Sequence, residues 1–367
     1  MTQDLILDDP TQRPQPLADG FPDAPPPSRP IYHLKRENNA RRRNAMTFSC
    51  LGKIAGTGAA TLGLWKAGLG KLFRSACRVR PVTQAPLVIG LAESGIIPSA
   101  LFHQVVREAC PAAAWICSTR RPSPGIAFSE HHSHAPDHSL PDPEIRPTEL
   151  WFVEDEITTG RTLLGLSLNL CRRLDQRRVR YVAFTDARSP EARRRFDAIL
   201  SADGIRSSLH VLFPEPPPGT DTVREEIRLS ADPAIHDAPQ QSVSSTVSDW
   251  LFPASRPALG RQVCPDIPLP TGLTGSLLAV GEAVDLGVRI VLANPGLQLR
   301  HVTLSPWEVD DVHIHNRLDI PGDYYLYNPH TLRPPLYILN DPVDAAVGLA
   351  ARERLEAMGF SPRLLAL

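Results

Sequence analysis

The chain has 367 residues, 42% of them hydrophobic, and a formal net charge of −1. That apolar content can bury cores in two or three domains, and the near-neutral balance excludes a global field that would draw nucleic acid or an anionic membrane surface. Its 38 prolines are about twice the usual share and argue for long irregular linkers rather than a helical array.

Residues 1–43 read as a disordered, Pro-rich and then basic segment: eight prolines fall before residue 31, and Lys35 to Arg43 is a basic run. The acidic, Pro-rich start is not a secretory signal. The most apolar stretch, 51–73, is interrupted by Lys53, Lys66 and Lys71, so no membrane span is expected. Cys50, Cys77, Cys110, Cys117, Cys171 and Cys264 form no C-x-x-C pair, as expected for reduced thiols of a cytoplasmic protein. Residues 48–75 look helical. Gly52-Lys53 and Gly70-Lys71 lack the preceding glycine of a phosphate loop.

From residue 86 an α/β rhythm sets in. Residues 86–90 predict a strand, 99–109 a helix, 113–118 a strand, 150–153 a wholly apolar strand, 163–174 a helix, 180–184 a strand and 210–213 a further one. Residues 120–148, crowded with His and Pro, read as loop. Buried strands alternating with helices imply a parallel sheet covered on both faces. A Pro cluster at Pro214, Pro216, Pro217 and Pro218 opens a polar linker over 214–248. A smaller α/β unit is expected over 249–367, with strands at 277–280, 288–292 and 337–339 and a helix near 343–358.

The strongest signal is Leu150-Trp151-Phe152-Val153-Glu154-Asp155-Glu156-Ile157-Thr158-Thr159-Gly160-Arg161-Thr162. A strand ends in adjacent acids, and a hydroxyl-rich turn then opens a helix. In an open parallel sheet, ligands bind outside the carboxyl ends of the strands. The turn can aim N–H groups and hydroxyls at a phosphate over a helix N-terminus, Gly160 allows close backbone approach, and Glu154 and Asp155 can accept from vicinal hydroxyls. An acid pair beside a phosphate cradle fits a ribose 5-phosphate.

These thirteen residues resemble the phosphoribosyl pyrophosphate (PRPP) motif of type I phosphoribosyltransferases. The resemblance implies that family's parallel sheet flanked by helices over 44–213. It also implies that the turn Ala92-Glu93-Ser94-Gly95 and Arg120 line the pyrophosphate side, and that residues 128–138, with His131, His132, His134 and His138, stand where the family has a flexible catalytic loop. His132 and His134 would then approach the leaving group as a lid; chelation of a transition metal by the same pair, and chance surface histidines, are the competing readings. The motif set further resembles the phosphoribosyltransferase of bacterial tellurium-resistance-type stress operons, whose second domain is named for a Thr-Arg-Ser-Pro (TRSP) motif. Here Trp250 to Pro253 with Leu259-Gly260-Arg261 resembles the junction, and Thr303-Leu304-Ser305-Pro306 the motif, followed by Tyr327-Asn328 and Asn340-Asp341-Pro342. Leu304 replaces the motif arginine, and Val280-Gly281-Glu282-Ala283 matches the expected Gly- and Glu-rich turn only in part. The second unit is therefore expected to bind anions weakly unless Arg300 or Arg317 substitutes, and to pack against the first unit or a partner. Residues 44–215 are expected to hold PRPP alone.

The implied chemistry is phosphoribosyl transfer with pyrophosphate leaving. Glu154 and Asp155 would hold the ribose hydroxyls, and Thr158, Thr159, Gly160, Arg161 and Thr162 the 5-phosphate. Mg²⁺ would enter bound with PRPP rather than in a protein-built metal site. The acceptor, a base or other nucleotide-like nucleophile, is not named by any segment. A non-catalytic PRPP- or nucleotide-sensing module and a hydrolase of the same bond remain alternatives. No membrane or nucleic-acid partner is expected, and a homodimer is allowed.

Overall fold

A computed structural model gives the fold; it describes residues 31–37, 44–82, 84–121, 125–129, 137–143, 145–214, 236–237 and 269–365. The chain opens with an antiparallel pair, β1 (Ile31–Lys35) and β2 (Asn44–Phe48). A two-residue strand, β3 (Thr57–Gly58), leads into α1 (Ala59–Val79). Then come β4 (Pro86–Gly90), α2 (Ile96–Ala109) and β5 (Ala114–Cys117). A hairpin of β6 (Ile126–Ser129) and β7 (Asp137–Leu140) follows. The alternation resumes with β8 (Glu149–Ile157), α3 (Arg161–Arg173), β9 (Arg178–Asp186), α4 (Pro190–Ala202) and β10 (Arg206–Val211). Next, β11 (His236–Asp237) pairs antiparallel with β6. The last part holds β12 (Gly275–Val280), α5 (Val284–Ala293), β13 (Leu297–Val302), the hairpin β14 (Arg317–Ile320) and β15 (Tyr324–Tyr327), β16 (Leu336–Leu339), α6 (Ala345–Ala357) and β17 (Pro362–Leu364).

Two five-stranded sheets result. The first has the order β10-β9-β8-β4-β5 with every pair parallel. The second has the order β17-β16-β12-β13-β3, parallel except for β3. Leu87-Val88-Ile89 and Leu150 to Val153 are buried along their whole length, as strands covered on both faces require. Side chains alternate between the faces. Leu150 and Phe152 pack with Leu166 and Leu170 of α3 and Phe196 and Leu200 of α4. Trp151 and Val153 enter another core, shared with Trp65 and Leu69 of α1, Ile97 and Leu101 of α2, Val288 and Val291 of α5, and Leu277 and Leu299 of the second sheet. Helices α1, α2 and α5 thus form a middle layer between the two sheets. The far face of the second sheet is covered by α6, through Ala351 and Leu355, and by Ile320 and Leu326 of the β14–β15 hairpin.

The α/β class and the parallel sheet agree with the sequence reading, with several corrections. Residues Ile31–Lys35, placed in the disordered segment, form a strand. The helix read over 48–75 begins at Ala59, because β2 and a tight turn through Gly52 precede it. Residues 288–292, read as a strand from their β-branched run, belong to α5, which is apolar nearly all round because it packs on β12 and β13 of the second sheet and against α1 and α2. Part of 120–148 is the β6–β7 hairpin rather than loop. Helix α4 was missed, although Ser189 caps it by accepting from the Ala192 N–H at 3.2 Å and Pro190 takes its first turn. Within 44–213, β3 lies in the second sheet, paired through Thr57 and Gly58 with Leu299 and Gln298, and the middle core is common to both halves. Of the 214–248 linker, Pro214, His236 and Asp237 fall among the described residues; residues 1–30, Trp250 to Pro253 and Leu259 to Arg261 lie outside them. Cys50, Cys77, Cys110, Cys117 and Cys171 form no disulfide. Among the described residues no helix is long and apolar enough to cross a membrane.

Candidate functional site

In the first sheet β5 lies on one side of β4 and β8 on the other, so chain order reverses between β4 and β8. Open α/β sheets bind ligands at the carboxyl end of such a switch point. β4 stops at Gly90, opposite Val153, so Glu154 and Asp155 lie beyond the last residue pair. Both are half-buried. By alternation Asp155 shares the face of Val153, toward the middle layer, and Glu154 that of Phe152.

The turn after β4 rests against this strand end. Leu91 accepts the Gly95 N–H at 2.9 Å, the Ala92–Glu93 peptide is cis, and the Ala92 N–H donates to Ser118 Oγ at 2.8 Å. A Cβ on Gly95 would stand 3.0 Å from Glu154 Oε2 and 2.6 Å from the Leu91 carbonyl, so no side chain fits there.

Glu93 is 5% exposed, and its carboxylate is surrounded by donors. His301 Nε2 lies 2.9 Å away, Arg120 Nη1 3.2 Å and Lys53 Nζ 3.7 Å, and the Leu304 N–H donates at 3.3 Å. Burial alone would raise its pKa, but Lys53, His301 and Arg120 hold it well below the usual carboxylate range. Lys53 is itself 1% exposed and also donates to Ser94 Oγ at 3.0 Å and Ser305 Oγ at 3.2 Å. Burial lowers its pKa, against Glu93 and Asp155, which favour the charged ammonium. Burial lowers the pKa of His301 as well, against Glu93, which favours the charged ring. Nε2 faces both Glu93 and the Gly281 carbonyl, 3.0 Å away, which places the proton on Nε2.

The hydroxyl-rich turn sits where β8 meets α3. Thr158, Thr159, Arg161 and Thr162 are half-buried, and Gly160 has φ +76°. A Cβ on Gly160 would meet Arg188 Nη1 at 3.1 Å and Phe196 at 3.2 Å. Beneath it, Arg188 pairs with Asp186 at 2.8 Å and lies 4.5 Å over the Phe196 ring. The turn thus has a packed floor and N–H groups at a helix start, the arrangement that holds an anion.

The residues 92–95, Arg120, Glu154 and Asp155, selected from sequence, are therefore brought together at one strand-end crevice, and 158–162 form the adjoining turn. His132 and His134 lie outside the described residues, as do His131 and Glu130. His138 is described: it is buried, its ring stacks on Phe128 at 5.1 Å, and its Nδ1 is 3.5 Å from Ser118 Oγ. Arg300 and Arg317 do not replace the missing motif arginine. Arg300 is fully buried, donates to Thr331 Oγ1 at 3.0 Å and to the Tyr327 carbonyl, and has its pKa lowered to about 10 by burial. Arg317 pairs with Glu37 at 2.8 Å and Asp319 at 2.6 Å. At the TRSP-like motif it is the Leu304 backbone, not its side chain, that reaches the site. Lys53, His301 and Glu282 were missed as site residues. The Gly52-Lys53 pair was visible, but nothing local distinguishes a buried lysine from an exposed one. Among the described residues no cluster of three or more His, Cys, Asp or Glu is placed to hold a metal.

Residues 32–213 match a protein-family model described as phosphoribosyl transferase. This span is a phosphoribosyltransferase domain. It runs from β1 to the residues just after β10 and contains every site residue selected from sequence. The chain is similar to several solved structures. Adenine phosphoribosyltransferase from Saccharomyces cerevisiae is 14% identical with TM-score 0.34, over 50% of this chain and 94% of that one. Adenine phosphoribosyltransferase from Trypanosoma brucei, in complex with AMP, pyrophosphate and ribose-5-phosphate, is 10% identical with TM-score 0.33, over 54% of this chain and 86% of that one. Hypoxanthine phosphoribosyltransferase from Trypanosoma cruzi, in complex with IMP, is 14% identical with TM-score 0.25, over 38% and 69%. No curated protein matches the sequence.

Proposed function

We propose that the phosphoribosyltransferase domain uses PRPP, forming or cleaving a nucleotide-like N-glycosidic bond with pyrophosphate as leaving group. The observation that carries this reading is the meeting of the Glu154–Asp155 strand end with the 91–95 turn at the switch point, beside the 158–162 turn. Glu154 and Asp155 hold the ribose hydroxyls. Thr158, Thr159, Gly160, Arg161 and Thr162 hold the 5-phosphate, where the N-terminal end of α3 favours an anion. Residues 92–95 and Arg120 line the pyrophosphate side. Glu93 takes part from beneath, because its carboxylate is already committed to Lys53, Arg120, His301 and the Leu304 N–H.

Carboxylates at the strand end and hydroxyls in the turns are hard oxygen donors, which suits Mg²⁺ carried in with PRPP. Glu154 and Asp155 are the residues that would face it. When bound, the ion would offset charge on the pyrophosphate oxygens. The chain's own contribution is to orient the ribose and surround the leaving group with donors. The sequence resemblance further suggests a bacterial stress-response pathway, a TRSP-type second half and a cytoplasmic setting.

The test is to incubate the full-length protein with Mg²⁺-PRPP and a panel of bases and nucleotides, following pyrophosphate release. Acceptor-dependent release is expected. PRPP binding without release under every acceptor would favour the sensing module, and no PRPP binding at all would overturn the reading.

A further inference from the structure

The turn after β5, residues 118–121, is held from across the molecule. Glu282 follows β12 directly, in the one-turn helix Gly281–Ala283, and is 6% exposed. Its Oε2 accepts the Thr119 hydroxyl at 2.7 Å, and its Oε1 accepts the Arg120 N–H at 2.8 Å. The Thr119 hydroxyl in turn accepts the Arg121 N–H at 3.1 Å. The Arg121 guanidinium lies 3.7 Å from Glu282 and pairs with Asp341 at 3.0 Å and with Asp344. Asp341 lies just past β16, which flanks β12 on the side away from β13. Chain order in the second sheet therefore also reverses, and the Arg121 side chain fills its switch-point crevice. Arg120 runs the other way: its Nη1 reaches Glu93 at 3.2 Å, and its Nε is buried without a partner.

One side chain, distant in sequence, thus fixes the backbone at Arg120 and the hydroxyl of its neighbour, while the Arg120 guanidinium extends to the turn assigned to pyrophosphate. Resting on the PRPP reading above, we infer that Glu282 is a positioning residue for the pyrophosphate end of the site. It locks the 118–121 turn so that the Arg120 guanidinium is aimed at the leaving group before the ligand arrives. Glu282 does not itself touch the ligand. A turn ordered in advance lowers the ordering cost of binding, and small misplacements of a charge partner cost large factors.

The experiment is calorimetric titration of the full-length protein with Mg²⁺-PRPP, Mg²⁺-pyrophosphate and ribose 5-phosphate. Glu282→Ala is expected to weaken PRPP and pyrophosphate about tenfold to a hundredfold, the range for charge-assisted hydrogen bonds, while ribose 5-phosphate stays within about twofold. Glu282→Gln is expected to restore most of that loss, because its amide oxygen can accept from the Arg120 N–H and its NH₂ can donate to Thr119 Oγ1. Since Glu282 acts through Arg120, the double variant with Arg120→Ala should bind pyrophosphate no more weakly than Arg120→Ala alone. Unchanged pyrophosphate affinity in Glu282→Ala, an equal loss for ribose 5-phosphate, or full additivity with Arg120→Ala would overturn the inference. If Glu282→Ala does not fold, Thr119→Val removes the hydroxyl at nearly constant volume and should show the same selective loss at smaller size; an unchanged pyrophosphate affinity there overturns it equally. Wild-type protein that binds PRPP while these variants behave as wild type sinks this inference alone. Wild-type protein that binds neither PRPP nor pyrophosphate sinks the PRPP reading with it.

Discussion

The carboxyl ends of the two parallel sheets meet at one crevice but use their acids differently. In the last part of β8, past its pairing with β4, Glu154 and Asp155 are half-buried near a turn of hydroxyls. At the ends of β12 and β16, Glu282, Asp341 and Asp344 are all engaged by residues 119–121 of the other sheet. The first end leaves its acids half-buried beside the 91–95 and 158–162 turns. The second fills its own crevice with Arg121 and holds the turns of the first. The two sheet ends thus differ in what meets them: the 91–95 turn of its own sheet at the first, and residues 119–121 from the other half at the second.

If that division is correct, the second sheet cannot be removed. A chain ending at residue 215 loses Leu277, Ala279, Val284, Val288, Ile290, Val291, Leu297 and Leu299 from the core shared with α1 and α2. Each large apolar side chain contributes roughly 1.5–3 kcal/mol when buried, against about 5–15 kcal/mol of total stability in a typical domain. Its loss also leaves Lys53 and Glu93 without Ser305, His301 and the Leu304 N–H. The truncated chain is therefore expected to show no cooperative thermal transition and no PRPP binding. A sharp melt with PRPP affinity within about tenfold of the full chain, about 1.4 kcal/mol, would restore the two-unit picture.

The next largest effect is expected at the β8 acids. Hydrogen bonds to charged groups contribute about 1.5–3 kcal/mol each, so Glu154→Ala with Asp155→Ala should weaken PRPP by roughly 3–6 kcal/mol, about a hundredfold to ten-thousandfold. The fold should persist, because both acids lie beyond the β4 pairing and outside the apolar clusters. Calorimetry with PRPP, alongside a thermal melt, checks both halves of this expectation. Unchanged affinity would remove the acid pair from the site.

Much of this organisation was legible in the sequence, and what was not has a physical reason. Residues 86–90 and 150–153 read as strands because an apolar run of that length fits little else in a parallel sheet. The 150–162 motif put acids and turn in the right order on a strand and a helix. By contrast, the same β-branched composition made 288–292 look like a strand, because a helix covered by a sheet on one side and by helices on the other loses most of the polar stripe that marks its period. Lys53, His301 and Glu282 were invisible as site residues because each acquires its role only when three or more elements meet. The second half could be recognised as α/β, but β3, two residues contributed by the other half, carries no signal of the sheet it joins.

The smallest effect tests the comparison through two buried carboxylates shifted in opposite directions. Glu93 faces Lys53, His301 and Arg120, and although burial raises its pKa, these groups hold it well below its ordinary 4.5. Glu282 faces Arg121, Arg120 and Thr119, and burial outweighs them, so its pKa lies above 4.5. Stability rises with pH wherever the unfolded chain binds more protons than the folded one. For Glu93 that holds below 4.5, where the unfolded carboxyl is protonated first; its contribution is complete above 4.5 and is lost as pH falls through the folded value. For Glu282 the folded protein holds the proton longer, so its contribution declines as pH rises from 4.5 through the folded value. Denaturant unfolding of full-length protein across this range should therefore show Glu93→Gln flattening the acid limb below 4.5 and Glu282→Gln removing a decline above it. Curves for Glu282→Gln parallel to wild type above 4.5 would mean that its carboxylate is held charged by Arg121 as firmly as Glu93 is by Lys53. The two carboxylates would then differ in their partners alone and not in the cost of keeping them ionised.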